Sequence, residues 1–300
     1  MANGREWISG KSSRDIPYKY CEGKHVNLTQ LEEDFPDHRY LKKKSILCYP
    51  ECVFRAPKVC HVTNQSGLEG ILKDGGFQGK DSFLWWSLSV SDDTAVKIQN
   101  FSEHWQRLDQ VPLLKEFTTS PAFQSKSRYG NFCFTFNLRA LLNIYSKEYC
   151  NRTAPILRVL GTRFFKQEVL YVILVHPRYM TRYSKYPRLP FNDKRLCGYR
   201  FGNLSWRCQS PSDNYKHCLG QNDEGDMVAI PLRESEYFVW DNVAVAFHME
   251  QNWLLPVSHS RLFKNLSVCE RASPDLSNDP EMSLSEAEAE VEKLRNKYLS

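Results

Sequence analysis

The sequence predicts an α+β fold that ends in a charged C-terminal helix. Two observations point to this class. Short runs rich in Val, Phe and Tyr recur at strand length, the longest being Val169 to Val175. The helical stretches between them are too few and too irregularly placed for the regular alternation of a doubly wound sheet.

In chain order, residues 1–57 read as an irregular, polar arm with a Lys42-Lys43-Lys44 run. Lys58 to Val62 has the composition of a short strand. Ser66-Gly67-Leu68-Glu69 has the form of a capping box, and Leu68, Ile71 and Leu72 follow at helical spacing. Gly75-Gly76 supplies a left-handed stop, from which Phe77 can pack back on the helix. Phe83 to Val90 reads as a strand, and Ser91-Asp92-Asp93 offers caps for a helix to about Arg107. Phe132 to Phe136 alternates as a strand and Leu138 to Tyr145 continues as a helix. Ile156 to Leu160 and Glu168 to Val175 are the next strands, a hairpin turned near Arg163 to Lys166. Met227 to Leu232 and Tyr237 to Phe247 follow, the latter broken near Asp241-Asn242. Arg261 to Cys269 reads as a short helix. The Ser/Pro-containing stretch Ser273 to Ser283 is a linker, and Ser285 with Glu288 opens a helix to Leu299. The organisation expected is an arm at 1–57, a single α+β domain at 58–269, and an acidic linker with its helix at 270–300.

Bulk properties exclude several classes. Forty-one per cent hydrophobic and 25% charged residues describe an ordinary globular chain. No run of about 18 apolar residues exists, so no membrane-spanning helix is expected. The first residues lack the apolar core of a secretory signal, which points to cytoplasm or nucleus rather than secretion. The ten cysteines are scattered without a Cys-x-x-Cys pair, so no metal site is predicted and burial is the expected fate of most. Without a signal, the six Asn-x-Ser/Thr sequons read as chance. No Gly-x-Gly-x-x-Gly, P-loop, Gly-x-Ser-x-Gly or His-Glu-x-x-His motif is present, which removes the commonest dehydrogenase, NTPase, hydrolase and metalloprotease readings.

Charge is unevenly spread. Glu270 to Ser300 carries a net −4, leaving +9 on the rest of the chain. Arg178 to Cys218 holds nine Lys/Arg against two Asp, interleaved with aromatic rings that include Tyr179, Tyr183, Tyr186 and Trp206. Cations among aromatics can bind phosphates and stack bases; a solvated, proline-punctuated connection has the same composition.

The most informative segment is Cys60-His61-Val62-Thr63 running into the helix and its glycine stop. A histidine near a strand end, a threonine two residues on and a helix tipped by backbone amides can hold a ribose hydroxyl and a phosphate together. His61-Val62-Thr63 with Ile71-Leu72 and Gly76-Phe77 resembles the first motif of ADP-ribosyltransferase-type domains, the poly(ADP-ribose) polymerases and DarT-type DNA-modifying toxins. That resemblance implies a split β-sheet core with peripheral helices, NAD as substrate, and ADP-ribose transfer to a protein or nucleic-acid acceptor. It assigns His61 and Thr63 to NAD. Trp85 and Trp86 stand where the family carries a tyrosine that stacks on nicotinamide; neighbouring residues on a strand face opposite sides, so one of the two would line the site. Ser235-Glu236-Tyr237-Phe238-Val239-Trp240-Asp241 resembles the family's glutamate-bearing strand and nominates Glu236 as the carboxylate that stabilises the glycosyl-transfer transition state, with His61 beside it. Glu168 is the rival carboxylate. Glu234-Ser235-Glu236 and Phe117-Thr118-Thr119-Ser120 are similar to elements of the arginine-modifying transferases, whose arginine is replaced here by His61. The alternative reading is a catalytically inactive binding module that recognises nucleic acid or a protein through the basic aromatic segment.

Overall fold

The computed structural model describes residues 6–11, 15–24, 33–36, 53–56, 58–89, 126–165, 169–189, 197–200, 203–207, 217–221, 227–231, 242–271, 277, 279–280 and 282–300. Nine strands form its main sheet: β1 (Ile8–Lys11), β2 (Pro17–Glu22), β3 (Lys58–Thr63), β4 (Phe83–Ser89), β5 (Phe132–Asn137), β6 (Ile156–Phe165), β7 (Val169–His176), β8 (Asn242–His248) and β9 (Leu266–Val268). Their spatial order is β1-β2-β6-β7-β8-β4-β3-β5-β9. Every neighbouring pair is antiparallel except β7 with β8. Four α-helices are described: α1 (Gln65–Asp74), α2 (Leu138–Tyr149), α3 (His259–Lys264) and α4 (Leu284–Leu299). The chain is therefore α+β with one large mixed sheet and a C-terminal helix. No helix among the described residues is long and apolar enough to cross a membrane.

Period-2 alternation sorts the sheet into two faces. On β4 the burial alternates strictly, with Leu84, Trp86 and Leu88 inside. These join Phe134, Ile173 and Phe247 on the face that all four helices cover. The helices contribute residues at helical spacing: Leu68 and Leu72 from α1, Leu138, Leu141 and Tyr145 from α2, all fully buried. Each such Leu contributes ~1.5–3 kcal/mol of transfer free energy. The second face is smaller. Leu170, Val172 and Leu174 of β7 and Ala246 of β8 are covered there by Met180, Tyr183 and Tyr186 from the segment after β7.

Several expected boundaries move. The N-terminal segment, read as irregular, supplies β1 and β2; Pro17-Tyr18-Lys19-Tyr20-Cys21-Glu22 alternates, and pairing with β6 selects that pattern. The cap of α1 is Asn64, whose Oδ1 accepts from the Gly67 amide at 3.0 Å. Ser66, predicted as the cap, lies in the first turn and donates to Asn64 Oδ1 at 3.1 Å. Asn64 wins because its backbone is still extended at the strand end, as an N-cap requires. The helix stops as predicted, with Gly75 at φ +68° and its N–H bonded to Ile71 O. At the C-terminus the capping box is Ser283 with Glu286, two residues before the predicted Ser285 and Glu288. Both pairs have the right spacing, and the earlier start adds helix while keeping Ala287 and Leu294 inward. The predicted helix Arg261 to Cys269 divides, since the second half pairs with β5 as β9 and completes the sheet edge. Strand β6 runs five residues past its predicted end, through Arg163 to Phe165 where the turn was expected, β7 keeps its predicted length but sits one residue later, and their connection at 166–168 lies outside the described residues. So do the predicted helix from Ser91 and the strand residues 237–241.

One loop is held by a glycine. Gly130 sits at φ +147°, and a Cβ there would stand 2.0 Å from Thr63 O. The turn before β5 is thereby pressed against the corner where β3 becomes α1. Gly130→Ala is expected to lower stability by roughly 3–5 kcal/mol, combining backbone strain with a steric clash. Gly75→Ala, whose Cβ would meet open space, is expected to lose only ~1–2 kcal/mol from its left-handed backbone. Urea midpoints of the two variants measure the difference, and an equal effect would remove the clash from the account.

Candidate functional site

The motif around His61 folds as a corner. His61 lies on β3 opposite Phe134 of β5 and faces the helix side of the sheet. Its ring is half-buried and meets Phe77 edge-on at 5.3 Å and Trp86 at 5.4 Å. Its Nδ1 lies 2.8 Å from Trp85 O. The carbonyl can only accept, so Nδ1–H donates and Nε2 keeps its lone pair. Burial lowers the imidazole's pKa, partly offset by that hydrogen bond, so the ring is neutral at neutral pH. Thr63 ends β3 with its Oγ1 packed on the first turn of α1; a Cβ on Gly67 would lie 1.9 Å from it.

The anion-accepting end of α1 already has partners. The Gly67 amide goes to Asn64, and the Gln65 amide donates to Asp279 Oδ2 at 3.2 Å. A carboxylate at a helix N-terminus is favoured by the helix dipole. Arg271 keeps the Asp279 segment in place: it donates to Asn131 Oδ1 at 2.8 Å, to Ser277 Oγ and to Pro280 O. Asn131 also donates to Met282 O at 3.2 Å. The acidic segment thus straps the corner that the sequence marked for a phosphate.

The two tryptophans divide between the faces. Trp86 is 1% exposed, beside His61, and its Nε1 has no partner among the described residues. Trp85 points to the opposite face, where the Arg163 guanidinium lies 4.8 Å from its ring and 4.7 Å from Tyr18. The protein's own arginine therefore packs on the half-buried Trp85, and the tryptophan near His61 is buried in the core. Of the nominated residues, the structure brings together His61, Thr63 and Trp86. Glu236, its neighbour Glu234, the rival Glu168 and the stretch Phe117 to Ser120 lie outside the described residues. No group of His, Cys, Asp and Glu among the described residues is arranged to hold a metal ion.

Sequence reasoning missed a second cluster, at the shared C-terminal end of the parallel strands. His176 ends β7 and His248 ends β8; they are 1% and 0% exposed. Tyr183 Oη stands 2.7 Å from His248 Nδ1, and Glu250 Oε1 stands 3.0 Å from Nε2. Arg182 Nη2 stands 2.6 Å from the same Nε2, so that nitrogen lies between a guanidinium that only donates and a carboxylate that only accepts. Arg182 Nη2 lies 3.2 Å from the same Glu250 oxygen. His176 accepts from Arg158 Nε at 2.9 Å and stands 2.7 Å from Pro177 O through Nδ1. Arg158 also donates to Tyr186 O. Tyr183 and Tyr186 are thereby tied to the sheet, and with them residues 177–189, the first part of the basic aromatic segment. The available signal was two apolar runs, Val169 to Val175 and Val243 to Phe247, each ending in histidine.

No family model, curated protein or solved structure matches the chain.

The buried histidines make a pH prediction. Burial lowers the His176 pKa from 6.5 to about 4 and lowers that of His248 as well. Arg158 and Arg182 oppose protonation, while Pro177 O and Glu250 favour it; Tyr183 is uncharged. Between the folded and unfolded pKa the unfolded chain binds more protons, so stability rises with pH and is lost as pH falls from about 6.5 towards 4. For His176 alone the loss by pH 5 is about 2 kcal/mol. A urea midpoint that falls between about pH 7 and pH 5, and falls less in His176→Gln, is the expected result; a flat profile would contradict it.

Proposed function

We propose that this chain is a binding module of ADP-ribosyltransferase-like build that recognises a nucleic acid through its basic aromatic segment. One observation carries the reading. Residues 177–189 are fastened by inward-facing Met180, Tyr183 and Tyr186, while Arg178, Arg182, Lys185 and Arg188 face outward with Tyr179 at 60% exposure. A rigid ridge of cations beside an exposed ring suits a phosphate backbone and a stacked base. Arg182 and Lys185 share their charge with Glu250 and Glu22; Arg178 and Arg188 make no ion pair among the described residues. Residues 190–196, 201–202 and 208–216 of the segment are outside the described part. The strapped corner at His61 supports the non-catalytic form of this reading, since Asn64 and Asp279 already hold the amides a phosphate would use.

A second reading keeps NAD as a ligand or substrate, and His61 favours it. A neutral imidazole with a fixed Nδ1 donor presents Nε2 as an acceptor for a ribose hydroxyl, with Thr63 beside it and Glu236 as the proposed transition-state carboxylate. In that case NAD at 100 times its Kd would stabilise the fold by ~2.7 kcal/mol. Transfer of label from NAD would be lost in both His61→Ala and Glu236→Ala.

The binding reading is tested by fluorescence anisotropy with single-stranded RNA at stepped salt. Contact with three phosphates would weaken binding roughly twentyfold between 50 and 200 mM salt. Arg178→Glu combined with Arg188→Glu should reduce both affinity and salt slope. Salt-independent binding, or a double variant that binds as the parent does, would reject the ridge as the interface.

A further inference from the structure

On the second face of the sheet a half-buried cation stands without a counter-ion among the described residues. Arg163 of β6 is paired directly with Tyr20 of β2 on one side and Leu170 of β7 on the other. Its guanidinium lies 4.7 Å from the centre of the Tyr18 ring, 4.8 Å from that of Trp85 and 5.9 Å from that of Tyr20. Tyr18 belongs to β2 and Trp85 to β4, with β6, β7 and β8 between them. In a flat sheet four strand spacings would hold β2 and β4 about 19 Å apart. One guanidinium reaches a ring from each, so the second face is concave there and Arg163 lies in the hollow.

Ring faces attract the charge, but they are poor acceptors for the N–H donors of a guanidinium. Arg163 Nε is buried and has no hydrogen-bond partner. The ionisable groups that act on its charge are the phenols of Tyr18, Tyr20 and Tyr129, and none is a carboxylate. The Tyr20 hydroxyl is itself spent on Leu160 O, at 2.6 Å. Glu22, two residues from Tyr20 on the same face of β2, is engaged with the Tyr186 hydroxyl and with Lys185. A buried donor on a charged group is costly to leave without an acceptor, and native structures almost always supply one.

We propose that Arg163 is a phosphate-binding residue, and that the hollow it shares with Tyr18, Tyr20 and Trp85 takes the phosphate group of a small ligand, either free phosphate or a mononucleotide. Two phosphate oxygens accept from Nε–H and an Nη–H at once, a fork that a guanidinium offers and an ammonium does not. A carboxylate has the same two oxygens but a single charge. A phosphate monoester carries close to two at neutral pH, and so gains more from a cation that nothing else neutralises. The surrounding rings keep water back, which strengthens the contact relative to one with the exposed cations of the ridge. This site lies on the face opposite His61 and does not involve Arg178 or Arg188, so it stands apart from both readings proposed above.

Peptide-mapped modification of the native protein with phenylglyoxal, which reacts with guanidinium groups, tests this without any variant. Inorganic phosphate at about ten times its Kd should slow the reaction of Arg163 about tenfold, while chloride at the same ionic strength leaves it unchanged. AMP should also protect and adenosine should not. Protection by AMP at lower concentration than inorganic phosphate identifies a mononucleotide as the ligand; equal protection identifies free phosphate. In thermal melts, phosphate should raise the Tm of the parent and not that of Arg163→Gln. Arg163→Lys keeps the charge without the fork and should bind phosphate at least about tenfold more weakly. A reaction at Arg163 that phosphate does not slow, or that acetate or adenosine slows equally, would overturn the site. So would an Arg163→Gln variant whose Tm rises with phosphate as the parent's does.

Discussion

The parallel pairing of β7 with β8 is the contact on which the rest of the architecture depends. Parallel neighbours cannot be joined by a tight turn, so the chain must leave the end of β7 and travel back to the start of β8. Residues 177–241 make that journey, and they include the basic aromatic segment. Its first part returns over the second face of the sheet, where Leu170, Val172 and Leu174 would otherwise face solvent. The connection that topology requires is also the cover that the core requires. Anchors for it come from the same place, because parallel strands finish side by side and put His176 and His248 together.

Magnitudes show what holds that cover down. The ion pairs Arg182–Glu250 and Lys185–Glu22 are formed by side chains that are 34% to 62% exposed. Solvent screens pairs of this kind, and they contribute little. Tyr183 and Tyr186, each 8% exposed, bury large rings and contribute more, on the order of 1.5–3 kcal/mol apiece. Apolar burial therefore fixes the ridge and hydrogen bonds to the histidines orient it. The outward cations are left weakly committed, which is the condition under which a phosphate can exchange with a carboxylate at small cost.

Much of the His61 corner was legible because its determinants are local. A strand end, a helix with Leu68, Ile71 and Leu72 at the right spacing, and a glycine stop all fall within one stretch of chain. The cap was displaced by two residues because Asn64 and Ser66 are both capable, and only the backbone conformation after Thr63 separates them. Which tryptophan shares a face with His61 was not legible. Alternation guarantees that one of Trp85 and Trp86 does so, but the register between β3 and β4 decides which. The cluster at His176 and His248 escaped for the same reason. Its two histidines lie 72 residues apart, and pairing across the sheet brings them together. N-terminal strands β1 and β2 were hidden by polar composition, since an edge is specified by its neighbour as much as by its own side chains.

The corner at His61 and the ridge at Arg178 to Arg188 are linked by a common electrostatic rule. At both places the chain supplies its own anion to a feature suited to an external one. Asp279 meets the amides of α1, and Glu22 and Glu250 meet the cations of the ridge. The two cases differ in what holds the anion. Asp279 is delivered by a segment that Arg271 and Asn131 tie through several hydrogen bonds, so displacing it means dismantling a strap. Glu22 and Glu250 are single side chains, held by the Tyr186 hydroxyl and by His248 respectively, and they leave Arg178 and Arg188 without an ion pair among the described residues. A polyanion at the ridge would meet two cations free of carboxylates, whereas at the corner it would have to displace Asp279. That difference, more than the number of positive charges, is what favours the ridge over the corner in the nucleic-acid reading proposed above.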